Sequence, residues 1–567
     1  MRSEPTELCS PRTGREYTLV GLNRNEISFR PFASSPPALL ALAKRGFICR
    51  VQAAGNTWTK LEPWLYRLLV ALHLLPIWAA KWFVTLDGPS HLYNARIVRD
   101  LLLGDPFFSR FFHLSTYPEP YWTGHAAMAV LLTVLPAWLV EKLLWSTAVV
   151  GLAWAFRRFL RGVAPDRPWA ALLVMPFLLH YAVRMGFLNF SLSLTVLLLA
   201  VAEVWHGLVH GRTRTAVLLP VLLLLYFTHL FTFAVGVGAI AAMLVWAHLP
   251  GMALQARGSL RPVLISMALP LVLTIGYFAT HRPEQPGTMH VDMVLLWNWL
   301  LEGRCWNALG VAGEQLACTL TAVPLLLGGA LALLFRAGRG KFRFQPDDFW
   351  PLLALGTLAS YFLLPDVVGG GSSVSPRLHL LGMLFLAVAL AGTELPLRAL
   401  QLIVALVVVA DVYHVRLQHG SAVSLGRECA ELMAVQPAVE DRSVLLPLNW
   451  SGNWMHSNLS NYLGTGTARV VVLDHFTALA PFNPAQWNPG MLAHGSVGTF
   501  ATSNHPCVRL AGYGEQAPPG ITEVATWKMS AATPDSCWTD VRRQLREQGD
   551  TLATSPHQDA VLYQRKP

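Results

Sequence analysis

Apolar runs of about 20 residues recur along this 567-residue chain, and they limit its folding more than any other feature. Nothing inside a bilayer can hydrogen-bond a free peptide group, so each run must cross as a helix that satisfies its own backbone. The runs fall at 64–84, 137–157, 168–185, 190–208, 215–230, 231–248, 262–279, 317–335, 349–365, 378–394 and 398–413. They predict an all-α polytopic membrane bundle of about 11 transmembrane helices. Only 13% of the residues are charged, against about 25% in soluble globular chains. The mean hydropathy is +0.41.

Thirteen of the 43 Lys and Arg cluster in or beside the short loops between runs, so the net charge of +10 does not signal a nucleic-acid partner. Arg157, Arg158, Arg161 and Arg167 share one loop, Arg212 and Arg214 the next, and Arg257 and Arg261 the one after. Arg336, Arg339, Lys341 and Arg343 follow, then Arg398. The alternate loops are longer and mixed in charge. The positive-inside rule then sets the basic loops and the amino terminus in the cytoplasm of a multi-pass plasma (inner) membrane protein, with everything after Tyr413 outside. Residues 1–60 read as a poorly ordered cytoplasmic extension and 61–414 as the transmembrane domain, with a large external loop at 85–136. Residues 415–567 read as a small extracytoplasmic α/β domain, with β-like runs at 443–448, 469–473, 521–527 and 560–564 and a helical stretch near 538–548. Seven cysteines are scattered without CxxC or zinc-like spacing. Cys507 and Cys537, on the outside, are a possible disulfide pair.

Directly after the first run stands Thr85-Leu86-Asp87-Gly88-Pro89-Ser90-His91-Leu92-Tyr93-Asn94-Ala95. Asp87 sits where lipid gives way to water, wet enough to ionise and close enough to meet a lipid-borne substrate. Two readings stand: a helix cap accepting from the Ser90 amide, or a general base. From Ser90 to Leu103 the apolar period suits a helix on the membrane surface, its Arg96 and Arg99 near headgroups. His91, one turn after Asp87, either orients that acid, binds sugar, joins a metal site or is merely solvated. Arg184 and Asn189 lie in a polar segment between two apolar runs, where charge is costly unless it faces a cavity; the segment is a candidate substrate site, with Arg184 either on the lipid phosphate of the substrate or snorkelling to ordinary headgroups. His229 closes the next outward span, where it either lines the same substrate cavity or is satisfied by a neighbouring helix. Arg377 follows a Gly- and Ser-rich loop that either lets backbone approach a phosphate, with Arg377 placed to pair with it, or merely joins two helices. Trp450 and His456 belong to a stretch rich in aromatic and amide groups, suited to sugar contact or to an ordinary turn.

An acid just outside the first span, followed by a long loop containing the Tyr117-Pro118-Glu119-Pro120-Tyr121-Trp122 segment and a helix ending in Arg157-Arg158, resembles the GT-C class of integral-membrane glycosyltransferases. That class includes protein O-mannosyltransferases, oligosaccharyltransferases and aminoarabinose transferases of lipid A. The resemblance implies a sugar donor on a polyprenyl phosphate or pyrophosphate, an unknown acceptor on the outer face, and Asp87 as base. It also implies that Glu119 is a second catalytic carboxylate, although its Pro-Glu-Pro setting departs from the common pattern. Some members bind a divalent metal there; no metal ligands are assigned here. The competing class is a non-enzymatic transporter or flippase of lipid-linked saccharides. Such a protein should carry ionisable residues mid-span and two related halves, whereas here the polar residues gather at the outer span ends.

Overall fold

A computed structural model describes residues 61–281, 289–338, 344–367, 372–479, 483–491, 508, 510 and 520–566. Helix α1 covers 61–78. The loop after it leads into α2 (Gly88–Leu102), strand β1 (Phe112–Leu114) and α3 (Trp122–Leu131). The bundle continues with α4 (Ala137–Val163), a 3-10 helix over Pro168–Phe177, α5 (Tyr181–Arg184), α6 (Leu188–His210), α7 (Thr215–Thr228), α8 (Leu230–His248) and α9 (Ala256–Thr280). Then follow α10 (Met293–Glu302), α11 (Glu314–Gly338), α12 (Phe349–Leu363), α13 (Val374–Gly392) and α14 (Leu397–Met433).

The fold is a polytopic membrane bundle, and the apolar runs named above are mainly helical, the first of them only to residue 78. Among the described residues, seven helices are long and apolar enough to cross a membrane. α9 and α11 keep Pro262, Pro270 and Pro324 inside, as membrane helices do when neighbours re-satisfy the freed carbonyls. The run at 168–185 is not one α-helix. Its first part is a 3-10 helix buried from Ala170 to Phe177, whose steeper rise of about 2 Å per residue lets ten residues cover about 20 Å.

α14 runs 37 residues without a break, about 55 Å, and carries the chain from the bundle past residue 414 into the last segment. There β2 (Ser443–Asn449), β3 (Val470–Val472), β4 (Ala485–Trp487), β5 (Glu523–Trp527), α15 (Ser536–Gln548), β6 (Gly549–Thr554) and β7 (Ala560–Arg565) follow in order. Five strands form one sheet in the order β3-β2-β5-β7-β6, with β2 parallel to both neighbours and β7 antiparallel to both of its own. Such a parallel centre is covered on both faces, and β2 is buried at six successive residues, Ser443 to Leu448. Cys537 is disulfide-bonded; Cys507 lies outside the described residues.

Helix α2 differs from the surface helix that its period predicts. It is buried at Leu92, Tyr93, Asn94, Ala95, Arg96 and Asp100, because its polar face also finds protein partners. Arg96 pairs with Asp100 at 3.1 Å and donates to the Gly464 and Thr467 carbonyls, both at 3.3 Å. Arg99 donates to Asp100 and to the Leu132 carbonyl. The Tyr93 hydroxyl donates to the Val470 carbonyl. β1 pairs antiparallel with β4, so the first loop is stitched to the C-terminal segment by backbone as well as by side chains.

Candidate active site

Asp87 stands at the turn into α2, and the backbone on both sides of it is pinned. The Leu86 and Asp87 amides donate to the Arg184 and Met185 carbonyls at 2.9 and 3.1 Å. The two segments touch so closely that Gly186, at φ +82°, has no room for a side chain: a Cβ there would lie 2.5 Å from the Gly88 nitrogen and 2.7 Å from that of Asp87. Asp87 occupies the cap position of α2 but its side chain makes no capping bond. Thr85 Oγ1 accepts from the Gly88 amide instead, at 3.1 Å, and Pro89 has no N–H to satisfy. The carboxylate is left to accept from Asn458 Nδ2 at 3.1 Å. Burial pushes its pKa up to about 7, even though the Arg377 charge and the Asn458 bond pull the other way.

Arg377, near the start of α13, stacks its guanidinium over Phe187 at 4.5 Å and Phe190 at 5.6 Å. Its Nε is buried and has no hydrogen-bond partner among the described residues. A guanidinium on aromatic faces with an unused donor beside a carboxylate is suited to a phosphate or another carboxylate as guest. Tyr121 feels the same Arg377 charge. It sits at φ +76°, in the region that non-glycine residues rarely enter. Its carbonyl is held there by Asn189 Nδ2 at 2.8 Å and by His125 Nδ1 at 3.0 Å. Because a carbonyl only accepts, His125 carries its proton on Nδ1. His125 Nε2 therefore accepts from His91 Nδ1 at 3.1 Å, which leaves His91 Nε2 with its lone pair. Burial drives both imidazoles to the neutral form, His91 down to about 3 and His125 to about 4.

Glu119 is buried in the turn between Pro118 and Pro120. It accepts from Ser115 Oγ at 2.7 Å and contacts His281 Nε2 at 2.9 Å. Its Oε2 has no partner among the described residues. Burial raises its pKa, opposed by the Ser115 bond and the His281 contact. Among the described residues no group of three His, Cys, Asp or Glu is placed to hold a metal ion.

No family model matches the sequence, and no curated protein does. The structure is similar to the crystal structure of ArnT, a GT-C aminoarabinose transferase, from Cupriavidus metallidurans bound to undecaprenyl phosphate. The likeness covers 90% of this chain and 98% of that one, at 13% identity and a TM-score of 0.50. The apo form of the same ArnT matches over the same shares, at 13% identity and a TM-score of 0.49.

The chain has a GT-C-like fold.

Within the GT-C-like fold the remaining candidates divide by whether their polar groups are already engaged. Arg184 is buried and spends its fork inside the protein, Nε on Gln418 Oε1, Nη2 on the Gln418 carbonyl at 2.7 Å and Nη1 on the Val84 carbonyl at 3.4 Å. Asn189 is occupied by the Gly124 amide and the Tyr121 carbonyl. His229 caps α8 through Nδ1, accepting from the Thr232 amide at 3.3 Å, and packs edge-on to Tyr121 at 5.0 Å. His456 is bonded to Ser451 and Trp527 and reaches Glu428 on α14. Trp450 is buried, its amide donating to the Trp527 carbonyl. The C-terminal segment meets Asp87 through Asn458, two residues beyond His456, rather than through either of them. The amide-rich stretch was a signal for Asn458, but nothing local distinguishes it from Asn453 or Asn461. His125 and Tyr121 carry no sequence signal beyond proximity to the Pro-Glu-Pro turn.

Proposed function

We propose that this protein is a membrane glycosyltransferase that moves a sugar from a polyprenyl-phosphate-linked donor to an acceptor on the membrane face where Asp87 lies. Asp87 is the base and Arg377 holds the donor phosphate. The observation that carries this reading is the pair itself: a carboxylate with a pKa near 7, beside a guanidinium with an unused donor. A hydroxyl or amine acceptor must lose a proton as it attacks the anomeric carbon, and a carboxyl titrating near neutral pH suits that task. The departing phosphate gains charge at the same moment, and an Arg held in a dry site stabilises it. Undecaprenyl phosphate in the ArnT crystal structure supports a lipid of that chemistry as partner here.

Arg184 serves in this scheme as a positioning residue, holding the loop that presents Asp87. Glu119, with one oxygen unpartnered, is the second carboxylate of the site. His91, His229 and Asn189 shape the wall around Tyr121, while Trp450 and His456 support the segment that carries Asn458. We further take Asp87 and residues 415–567 to be extracytoplasmic, the basic loops and residues 1–60 cytoplasmic, and residues 61–414 the transmembrane domain of an inner-membrane protein.

Asp87→Asn tests the assignment. Asn keeps the size and can still accept from Asn458, but it cannot take a proton. Release of free polyprenyl phosphate from a lipid-linked donor, followed by mass spectrometry, should fall at least about a hundredfold, in a variant that inserts and melts as the parent does. Near-normal release would remove Asp87 as the base.

A further inference from the structure

A second polar feature lies at the opposite end of the bundle. Glu141 belongs to the Asp87 end, where its Oε2 accepts from the Tyr462 hydroxyl at 2.6 Å. Asn189 belongs there too, through the Gly124 amide. Arg158 follows Glu141 along α4, and His206 follows Asn189 along α6, by about 17 residues and thus about 25 Å of helix. Since a bilayer's hydrocarbon core is about 30 Å thick, these residues stand level with the headgroups of the other leaflet.

There a cavity of about 1050 Å³ opens between the last turns of α4 and α6 and the first turns of α7. Its polar lining is Arg158, Arg161, His206, His210, Arg212 and Arg214, with Glu203 as the one lining carboxylate among the described residues. Glu203 is already used. Its Oε1 accepts from Arg214 Nε at 2.9 Å and its Oε2 from Nη2 at 2.6 Å. Arg158, Arg161 and Arg212 are exposed and have no ion-pair partner among the described residues. Arg158 lies over the Trp154 ring at 5.8 Å, which leaves the edge of its guanidinium open. Beneath this charged mouth the wall is apolar, formed by Phe159, Leu199, Val217 and Val221.

Three uncompensated guanidiniums above a greasy wall match a phosphate joined to hydrocarbon. We propose that this cleft binds the phosphate headgroup of an anionic phospholipid from the leaflet opposite Asp87. Arg158, Arg161 and Arg212 hold the phosphate, and an acyl chain lies along Phe159 and Val217. Basic pockets between membrane helices bind such headgroups by charge and hydrogen bonds together. A soluble phosphate would meet the same arginines but gain nothing from the apolar wall.

The test is native mass spectrometry of the full chain released from nanodiscs containing equal parts of phosphatidylglycerol and phosphatidylcholine. Retained phosphatidylglycerol should exceed phosphatidylcholine by about tenfold or more. The Arg158→Gln/Arg161→Gln/Arg212→Gln variant should bring that ratio close to one, with its melting temperature in pure phosphatidylcholine unchanged. If the triple variant does not insert, Arg161→Gln and Arg212→Gln singly should each lower the ratio severalfold. An undiminished preference in the variants overturns the site. So does displacement of the bound lipid by millimolar inorganic phosphate, which would make it a site for the free anion.

Discussion

Asp87 owes its chemistry to opposed effects. Burial disfavours its charge, while Arg377 and Asn458 favour it, and the balance lands at about 7 rather than at the usual carboxylate value near 4. The sign of the pH dependence follows. Below about 7 the folded protein holds Asp87 protonated, so the proposed base is lost as pH falls through that value. Sugar transfer should therefore drop about tenfold per pH unit on the acid side and level off on the alkaline side. A pH profile of donor consumption measures this, and a flat profile between about 5 and 8 would detach Asp87 from the proton transfer. Stability runs the other way. A carboxyl whose pKa is raised on folding stabilises the fold most when protonated, and that contribution declines as pH rises from about 4 towards 7. Asp87→Asn, permanently neutral, should thus melt no lower than the parent under alkaline conditions, which separates loss of activity from loss of fold.

At the scale of elements, the site depends on two segments that cross in contact, the loop before α2 and the turn after α5. Gly186 is where they touch. Alanine there meets both a positive φ, costing about 1 kcal/mol, and a Cβ only 2.5 Å from the Gly88 nitrogen. The two chains must separate, and Asp87 moves with them. Displacement of a reacting group by about 1 Å can cost about a hundredfold in rate. Gly186→Ala should therefore lower the melting temperature and reduce transfer by at least about tenfold, whereas Gly238→Ala, where a Cβ meets nothing within 4 Å, should change neither. Equal effects of the two substitutions on transfer would show that this crossing does not position the acid.

Across the whole molecule, Arg158 and His206 lie a helix length from the Asp87 end of the bundle, and the positive-inside rule predicts opposite sides of the membrane for the two ends. Exposed positions at both ends make that accessible to labelling. Arg257→Cys should react with an impermeant maleimide only from the cytoplasmic side, and Glu547→Cys only from outside, each read above the unsubstituted protein. Cys305, Cys318 and Cys429 are buried and free, so they add little background. Reaction of both new cysteines from one side would invert or break the proposed topology, and the outer-face reading with it.

Local pattern determined much of this protein. Apolar length marked the bundle helices, since a bilayer enforces helix wherever about 20 apolar residues run together. Short β-like runs at 443–448, 469–473, 521–527 and 560–564 marked what became β2, β3, β5 and β7, and Asp87 was conspicuous as a charge at the end of an apolar run. What surrounds Asp87 was decided only by tertiary structure. Its hydrogen-bond donor is 371 positions away at Asn458, and its cationic neighbour Arg377 starts a different helix. Periodicity tells which face of a helix is apolar, but not whether its other face meets water or protein. For that reason α2 looked like a surface helix, although Arg96, Tyr93 and Asn94 bury their polar groups against the Gly464, Val470 and Ala485 carbonyls. The same limit hid the partners of Arg184. A buried charge needs partners, and whether these come from a ligand or from Gln418 depends on which distant helix packs beside it.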